Sequence, residues 1–568
     1  DDLAIWLNCS LKKKTCKRYV NHIQNIYQIE LNNISEFMRV NGFELSFEKT
    51  NMILFNNGQS GVRPLLSLNG NKIEYKESVK FLGVHLTSKL NWNMHLDYCI
   101  VKASKNLNLL KIICRQRWSQ NTVLLLHIAK ALVRSSLVYA QEDFFSASRT
   151  YLKKLESIDS RAVKLALGVP VHSSTLRAYK LAGWLPLSDL RMISAANYIT
   201  RSRLVDNSNS EEVVIRSDLD FPLRSRKMKC LQTIASYTSD LFNKSGVVLD
   251  NIAKSPISPI PSWELERPYF DFEYVDIKKL ENPNLLSSIV KEHLYEKYSN
   301  HFQVFTDGSV LENDNAGSGF VIPAFNMEKS FFLCKGISIF SAELVALVMA
   351  LHFIVSLSMN IFQTVICVDS KSVIQALMSV SNKVRPELIT EIKYLINCLI
   401  VRGTIVTICW VPSHLGIKYN DYADRAAKSG AECTSNTTSL NLKLSSSECK
   451  SIFKKVFFDQ SSMKSSVNLN LFGSPRSLNS LRLRLLLNAW RTKFVPSVNC
   501  ICGGKIDIKH ILVDCDQLKV NFRDLVPVSA IQQSSEVTLK QLLSNNLDDY
   551  PVLPLLQALY NSPIYQYL

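Results

Sequence analysis

The apolar positions of the chain follow two patterns, and the change from one to the other divides it. From Cys99 to about Arg203, apolar residues recur at three- and four-residue spacing with basic residues between them, as in KASKNLNLLKIICRQRW, TVLLLHIAKALVRSSLVYA and YLKKLESIDSRAVKLALGV. Side chains three and four apart share one face of a helix, so this stretch predicts a helical bundle. Further helices are expected from about Lys17 to Val40 and from about Leu285 to Tyr298.

Beyond residue 299 short apolar runs alternate with longer ones. Gln303 to Thr306, Gly319 to Ile322 and Phe331 to Lys335 read as a three-strand meander broken by turn residues. Ser341 to Ser358 is apolar nearly all round, which predicts a buried helix. Thr364 to Val368 and Thr404 to Trp410 read as two more strands, and Lys371 to Leu377, Glu387 to Val401 and Asp421 to Lys428 as helices. A meander followed by alternating strands and helices predicts a mixed α/β fold, with a five-stranded mixed sheet and flanking helices. The run from Ser341 to Met359 has the length of a membrane span, but Glu343 and His352 interrupt it and a domain core accounts for it.

Four acidic residues sit in this segment at the ends of predicted strands or on inner helix faces. They are Asp307 in VFTDGS, Glu343 in FSAELVAL, Asp369 in ICVDSKSV and Asp424 in WVPSHLGIKYNDYADRAAK, where His414 lies ten residues earlier. Taken singly each has an ordinary reading: a turn after a strand, a helix acid favoured by the dipole, an N-cap. Together they form the oxygen-rich set that hard cations take, because Mg²⁺ keeps water and phosphate oxygens in its shell and needs only a few shared carboxylates. Two such ions activate water and relieve charge in phosphodiester cleavage.

TDGS, SAEL, VDSKSV and WVPSHLG...ND..AD, in that order, resemble a type 1 ribonuclease H domain of the kind carried by retroelement polyproteins. The resemblance implies that Asp307, Glu343, Asp369 and Asp424 hold two Mg²⁺ ions, with Mn²⁺ as an alternative, and that His414 on a loop assists proton transfer or product release. It implies an RNA/DNA hybrid as substrate. One departure concerns the His414 loop: the family has Gly before the Asn of the last motif, and this chain has Tyr419 before Asn420.

Charge and cysteine usage widen the picture. A net charge of +17 over 568 residues suits a polyanionic partner. A composition of 46% hydrophobic and 20% charged residues is that of a folded protein with several domains. Most of the fourteen cysteines stand singly in apolar runs, the pattern of reduced intracellular thiols; residence in the nucleus or cytoplasm is what the resemblance implies.

The N-terminal DDLAIWL, the helix from Lys17, NGFELSFEKTNMILF (Asn41 to Phe55) and VKFLGVHL (from Val79) together resemble the last palm motifs of a non-LTR retrotransposon reverse transcriptase. By that resemblance Asp1 and Asp2 match the paired metal-binding aspartates, and Phe81, Leu82 and Gly83 form the turn that positions a primer end. The upstream motif with the other aspartate is absent, so Asp1 and Asp2 are read as a vestigial site and no polymerisation is expected. The bundle after it corresponds to the thumb, where Lys102, Lys105, Lys111, Arg115 and Arg117 are candidates for backbone contact with RNA or DNA.

SPISPIPSWELERP (Ser255 to Pro268) reads as an extended spacer and SGAECTSNTTS as a linker. Beyond them a basic helix with Arg482, Arg484 and Arg491 precedes Cys500-x-Cys502-x7-His510-x4-Cys515, a candidate structural Zn²⁺ knuckle. The expected domains are thus a partial palm (1–98), a helical thumb or connection (99–205), a linker region (206–298), the nuclease (299–431) and a basic Cys/His region (432–568).

The functional expectation is a Mg²⁺-dependent endonuclease that cuts the RNA strand of a hybrid, held in a truncated retroelement polyprotein. The alternative is a nucleic-acid-binding relic without catalysis. DNA strand transfer is a third reading, disfavoured by the His-containing loop before the last acid.

Overall fold

A computed structural model describes residue 4 and residues 17–55, 65–115, 122–202, 234–254, 264–272, 283–379, 384–433 and 437–460. They fall into two compact units, one built on residues up to Met192 and the other on Ile193–Phe457.

The first unit is helical, with two small hairpins. Helix α1 (Lys17–Val40) spans the residues expected of it and ends where Gly42 takes φ +80°. Hairpin β1–β2 (Ser67–Leu68, Asn71–Lys72) packs Leu66 and Leu68 near Leu31 of α1. In hairpin β3–β4 (Ser78–Phe81, Val84–Thr87), Phe81 pairs with Val84, so Leu82 and Gly83 are a two-residue turn. Both have positive φ, 46° and 82°, the type I′ geometry that matches strand twist.

Helix α2 (Asn93–Arg115) then buries Leu96, Cys99, Ala103, Leu107, Leu110 and Cys114, one stripe at three- and four-residue spacing. Lys102 and Lys105 stay exposed between the stripe residues. Helices α3 (Thr122–Ala129), α4 (Ser135–Val138), α5 (Arg149–Leu167), α6 (Thr175–Ala182) and α7 (Leu187–Ser202) complete the expected bundle. Arg117 lies outside the described residues.

The second unit holds the mixed α/β fold. After α8 (Ile234–Ser245), strand β5 (Tyr269–Asp271) and helix α9 (Pro283–Tyr298) lead into β6 (Phe302–Val310), β7 (Ala316–Ile322) and β8 (Met327–Phe332). Helix α10 (Ile339–Ser356), β9 (Gln363–Val368), α11 (Lys371–Met378), α12 (Pro386–Val401), β10 (Ile405–Trp410) and α13 (Lys418–Glu432) follow. Short β11 (Thr438–Ser439) and helix α14 (Ser446–Gln460) close the unit.

The sheet has seven strands rather than five, in the order β11-β8-β7-β6-β9-β10-β5. Its centre is the expected mixed sheet: β6, β7 and β8 are antiparallel, and β9 and β10 run parallel to β6. The two added strands form parallel edges, β5 on β10 and β11 on β8, and each comes from a segment read as linker. They escaped because a strand of two or three residues has no periodicity to detect. Helix α9 also belongs to this core, through Leu286, Val290, Leu294 and Tyr298.

Two further differences share one cause. Strand β6 runs on to Val310, and β8 begins at Met327 and stops at Phe332, so the TDGS motif lies within a strand instead of turning out of one. Glycine in a strand marks close backbone approach as often as a turn. A Cβ on Gly308 would lie 2.4 Å from the backbone nitrogen of Glu343. Across the hairpin, a Cβ on Gly317 would lie 2.1 Å from the nitrogen of Ala431 in α13.

Helix α10 is long and apolar enough to span a membrane by composition, yet it is the central core helix, with Leu344, Leu347 and Leu351 fully buried. Helix α13 presents Ala423, Ala426, Ala427, Gly430 and Ala431 to the sheet, all buried, so helix and strand backbones nearly touch. Gly317→Ala is therefore expected to destabilise the unit by about 3 kcal/mol, the upper end for overpacking, because the obstacle is backbone. Urea unfolding measures this; an unchanged midpoint would mean that α13 does not sit at this distance.

Candidate active site

Asp307 lies in mid-strand on β6, opposite Gly319 of β7. Residues opposed across a pair share a face, and that face is the one α13 covers through Gly317 and Gly319. Glu343 comes from α10, whose N-cap Ser338 accepts from Ser341 N–H, so it stands beyond the first turn and the dipole reading loses force. The absence of a side chain at Gly308 lets the backbone of Glu343 reach β6. Asp369 follows the last residue of β9, and the N-cap position of α11 is Ser370, which leaves the Asp369 carboxylate free of that duty.

These elements bring three carboxylates together. One oxygen from each of Asp307, Glu343 and Asp369 lies within 4.8 Å of the others. Asp424 is outside this group: it sits on α13, about a quarter exposed, and accepts from Lys428 Nζ at 2.6 Å one turn along. That pairing was readable from the i,i+4 spacing. His414 is exposed on the loop before α13 and takes φ +60°.

The electrostatics are those of crowded acids. Burial first, then the charges of Asp369 and Glu343, push Asp307 up to about 9, against a single backbone donor, Gly308 N–H at 2.8 Å. Burial and Asp369 push Glu343 up to about 8, with the Ser370 hydroxyl acting in the opposite sense. Asp369 rises less, to about 6, because its own backbone N–H and the nearby His414 offset part of the burial cost.

Glu343 Oε2 and Asp369 Oδ1 are buried and have no hydrogen-bond partner among the described residues. Orphaned acceptors on acids that repel one another are what a divalent cation satisfies, so the residues fit a hard metal ion. The surroundings are fixed from behind: Trp410 Nε1 donates to the Asp369 carbonyl at 3.0 Å, and Lys371 Nζ lies 4.2 Å from the Trp410 ring centroid. Neither contact was foreseen from the sequence, since both depend on the register between β9 and β10.

Residues 299–432 match the family model described as RNase H. This stretch is a ribonuclease H domain. The crystal structure of RNase H1 from the halophilic archaeon Halobacterium salinarum is similar over 24% of this chain and 99% of its own, with 19% identity and a TM-score of 0.20. A comparison with curated proteins gives no match. By the family match, residues 299–432 are an enzyme domain of the RNA–DNA hybrid ribonuclease class.

Within the ribonuclease H domain the Tyr419 departure finds an explanation. The left-handed positions of the loop fall on His414 and Gly416, φ +67°, so no glycine is needed at 419. Tyr419 instead lies in the first turn of the helix, and its ring centroid is 5.7 Å from that of Phe305, two residues before Asp307. The Cys500, Cys502, His510 and Cys515 cluster, Arg482, Arg484 and Arg491, and Asp1 and Asp2 lie outside the described residues.

The raised acids set a pH dependence. In the folded, metal-free chain Asp307 and Glu343 hold protons that the unfolded chain releases near pH 4. Between about pH 4 and 9 the folded state binds more protons, and stability falls as pH rises. Melting in EDTA should therefore drop from pH 5 to pH 9 more steeply for the wild type than for Asp307→Asn. Equal slopes would show that Asp307 is not held protonated.

Proposed function

We propose that the chain hydrolyses the RNA strand of an RNA/DNA hybrid with Mg²⁺ held by Asp307, Glu343 and Asp369, and with Asp424 completing the set from the rim. The observation that carries this reading is the cluster of three carboxylates inside the matched domain, Asp307 buried and Glu343 and Asp369 half-buried, the latter two each with an orphaned buried oxygen. The bound ions would activate water and neutralise charge on the phosphate. Asp307, Glu343 and Asp369 hold their oxygens on rigid elements. His414, exposed beside them, exchanges protons with the leaving strand. The wide minor groove of a hybrid with its 2′-hydroxyls marks the RNA strand.

The retroelement context belongs to the same proposal. The type I′ FLG hairpin, the helical bundle with exposed Lys102 and Lys105, and the order of the motifs support palm-like and thumb-like segments that grip nucleic-acid backbone. The described cysteines are free thiols, which supports residence in a reducing compartment, nucleus or cytoplasm. The proposed Cys500/Cys502/His510/Cys515 Zn²⁺ knuckle rests on its spacing.

The test is cleavage of a labelled RNA strand, alone and paired with DNA, by the full chain in Mg²⁺, with Asp369→Asn beside it. Hybrid-only cleavage that Asp369→Asn lacks is expected. Hybrid binding without cleavage by the wild type would overturn the catalytic reading in favour of a binding relic. His414→Ala should lower kcat by about a hundredfold, the scale of a lost proton-transfer group, with KM for the hybrid little changed. A wild-type kcat in that variant would remove His414 from the chemistry.

A further inference from the structure

The ribonuclease H match ends at residue 432, yet helix α14 beyond it reaches to within two residues of a candidate metal ligand. Its first turn is a reciprocal capping box: Ser445 N–H donates to Glu448 Oε2 at 2.8 Å, and Glu448 N–H donates to Ser445 Oγ at 3.3 Å. Glu448 is not spent on the cap. Its Oε1 also accepts from Ser338 N–H at 2.8 Å, Ser338 Oγ at 2.9 Å and Ser341 Oγ at 2.6 Å. These are the N-cap and the third residue of α10, the helix that carries Glu343.

The charge balancing Glu448 is Arg385, the residue before α12. Its Nη2 donates to Glu448 Oε2 at 2.7 Å, its Nε to Ser341 Oγ at 2.8 Å and its Nη1 to the Lys443 carbonyl at 2.7 Å. Both side chains are buried, Arg385 at 0% and Glu448 at 3% exposure. Arg385 holds φ +50°, a conformation that a non-glycine residue keeps only where its surroundings enforce it. Ser341 is the junction: it takes a hydrogen bond from Arg385, gives one to Glu448, and stands two residues before Glu343.

We propose that Glu448 and Arg385 are positioning residues for the metal centre, fixing the first turn of α10 and so the place of Glu343, and that α14 is a working part of the nuclease. This rests on the reading of Asp307, Glu343 and Asp369 as metal ligands. Groups that orient a metal ligand typically contribute ten- to a hundredfold to affinity, and the connection here runs through a helix turn, so the lower figure is expected.

The experiment titrates the full chain with Mn²⁺, following the free aqua ion by electron paramagnetic resonance, and measures hybrid cleavage over the same metal range. Glu448→Gln, which keeps the shape but removes the charge, should weaken Mn²⁺ binding by about tenfold and raise the metal concentration for half-maximal cleavage equally, with KM for the hybrid unchanged. Ser341→Ala leaves the ion pair and the Ser338 bonds in place and removes the junction nearest Glu343, so a smaller loss of Mn²⁺ affinity in the same direction is expected; it decides the matter if Glu448→Gln does not fold. Phe453→Leu, in the buried face of the same helix, should lower the melting temperature without moving Mn²⁺ affinity.

Wild-type Mn²⁺ affinity in both Glu448→Gln and Ser341→Ala would overturn the proposal. So would an equal loss in Phe453→Leu, which would make α14 a general support only. Failure of the underlying reading looks different: Asp369→Asn would then bind Mn²⁺ as the wild type does.

Discussion

The near-contact between α13 and β7 is the constraint on which the domain rests. Gly317 and Gly319 leave the strand without side chains where the helix crosses, and Ala423, Ala426, Ala427, Gly430 and Ala431 do the same for the helix. Gly308 repeats the device on the opposite face, where α10 comes in. One hairpin is thus approached from both sides at backbone distance, and only that thinness brings an acid from α10 and one from β6 within reach of a third after β9. Ordinary side chains at these glycines would push the layers apart by an atom's width or more, which is the scale on which metal ligation fails.

What the hairpin assembles is electrostatically unfavourable on its own. Three acids share one space; burial raises all three, and the charges of their neighbours in the trio raise Asp307 and Glu343 further. The apolar core beneath, from α9 through α13, supplies the stability that lets the cluster persist. Asp424 follows a different rule: about a quarter exposed and paired with Lys428, it has a cation of its own at the rim. The site therefore grades from a dry interior that demands a divalent ion to an edge that exchanges freely with water.

The sequence made the helices and the central strands legible, because each is encoded by spacing within a dozen residues; of the four acids it singled out, three come together. It misled at TDGS, where glycine suggested a turn and instead marked a close approach. Strands β5 and β11 were invisible because their pairing partners lie more than a hundred residues away. The Arg385–Glu448 pair was hidden for the same reason: SSSE reads as a capping box and Arg-Pro as a helix start, and nothing local says that they meet. Tyr419 looked like a defect of the His414 loop until the backbone showed that the left-handed turns fall elsewhere.

The two edge strands of the sheet have a consequence of their own. Both β5 and β11 are drawn from sequence outside the family-matched stretch, and each occupies a row of backbone donors and acceptors on β10 and β8 that would otherwise be open. An open edge is a template for another chain. The flanks act as selvedges: the sheet ends on strands of three and two residues, too short to offer a neighbouring molecule much edge to take up.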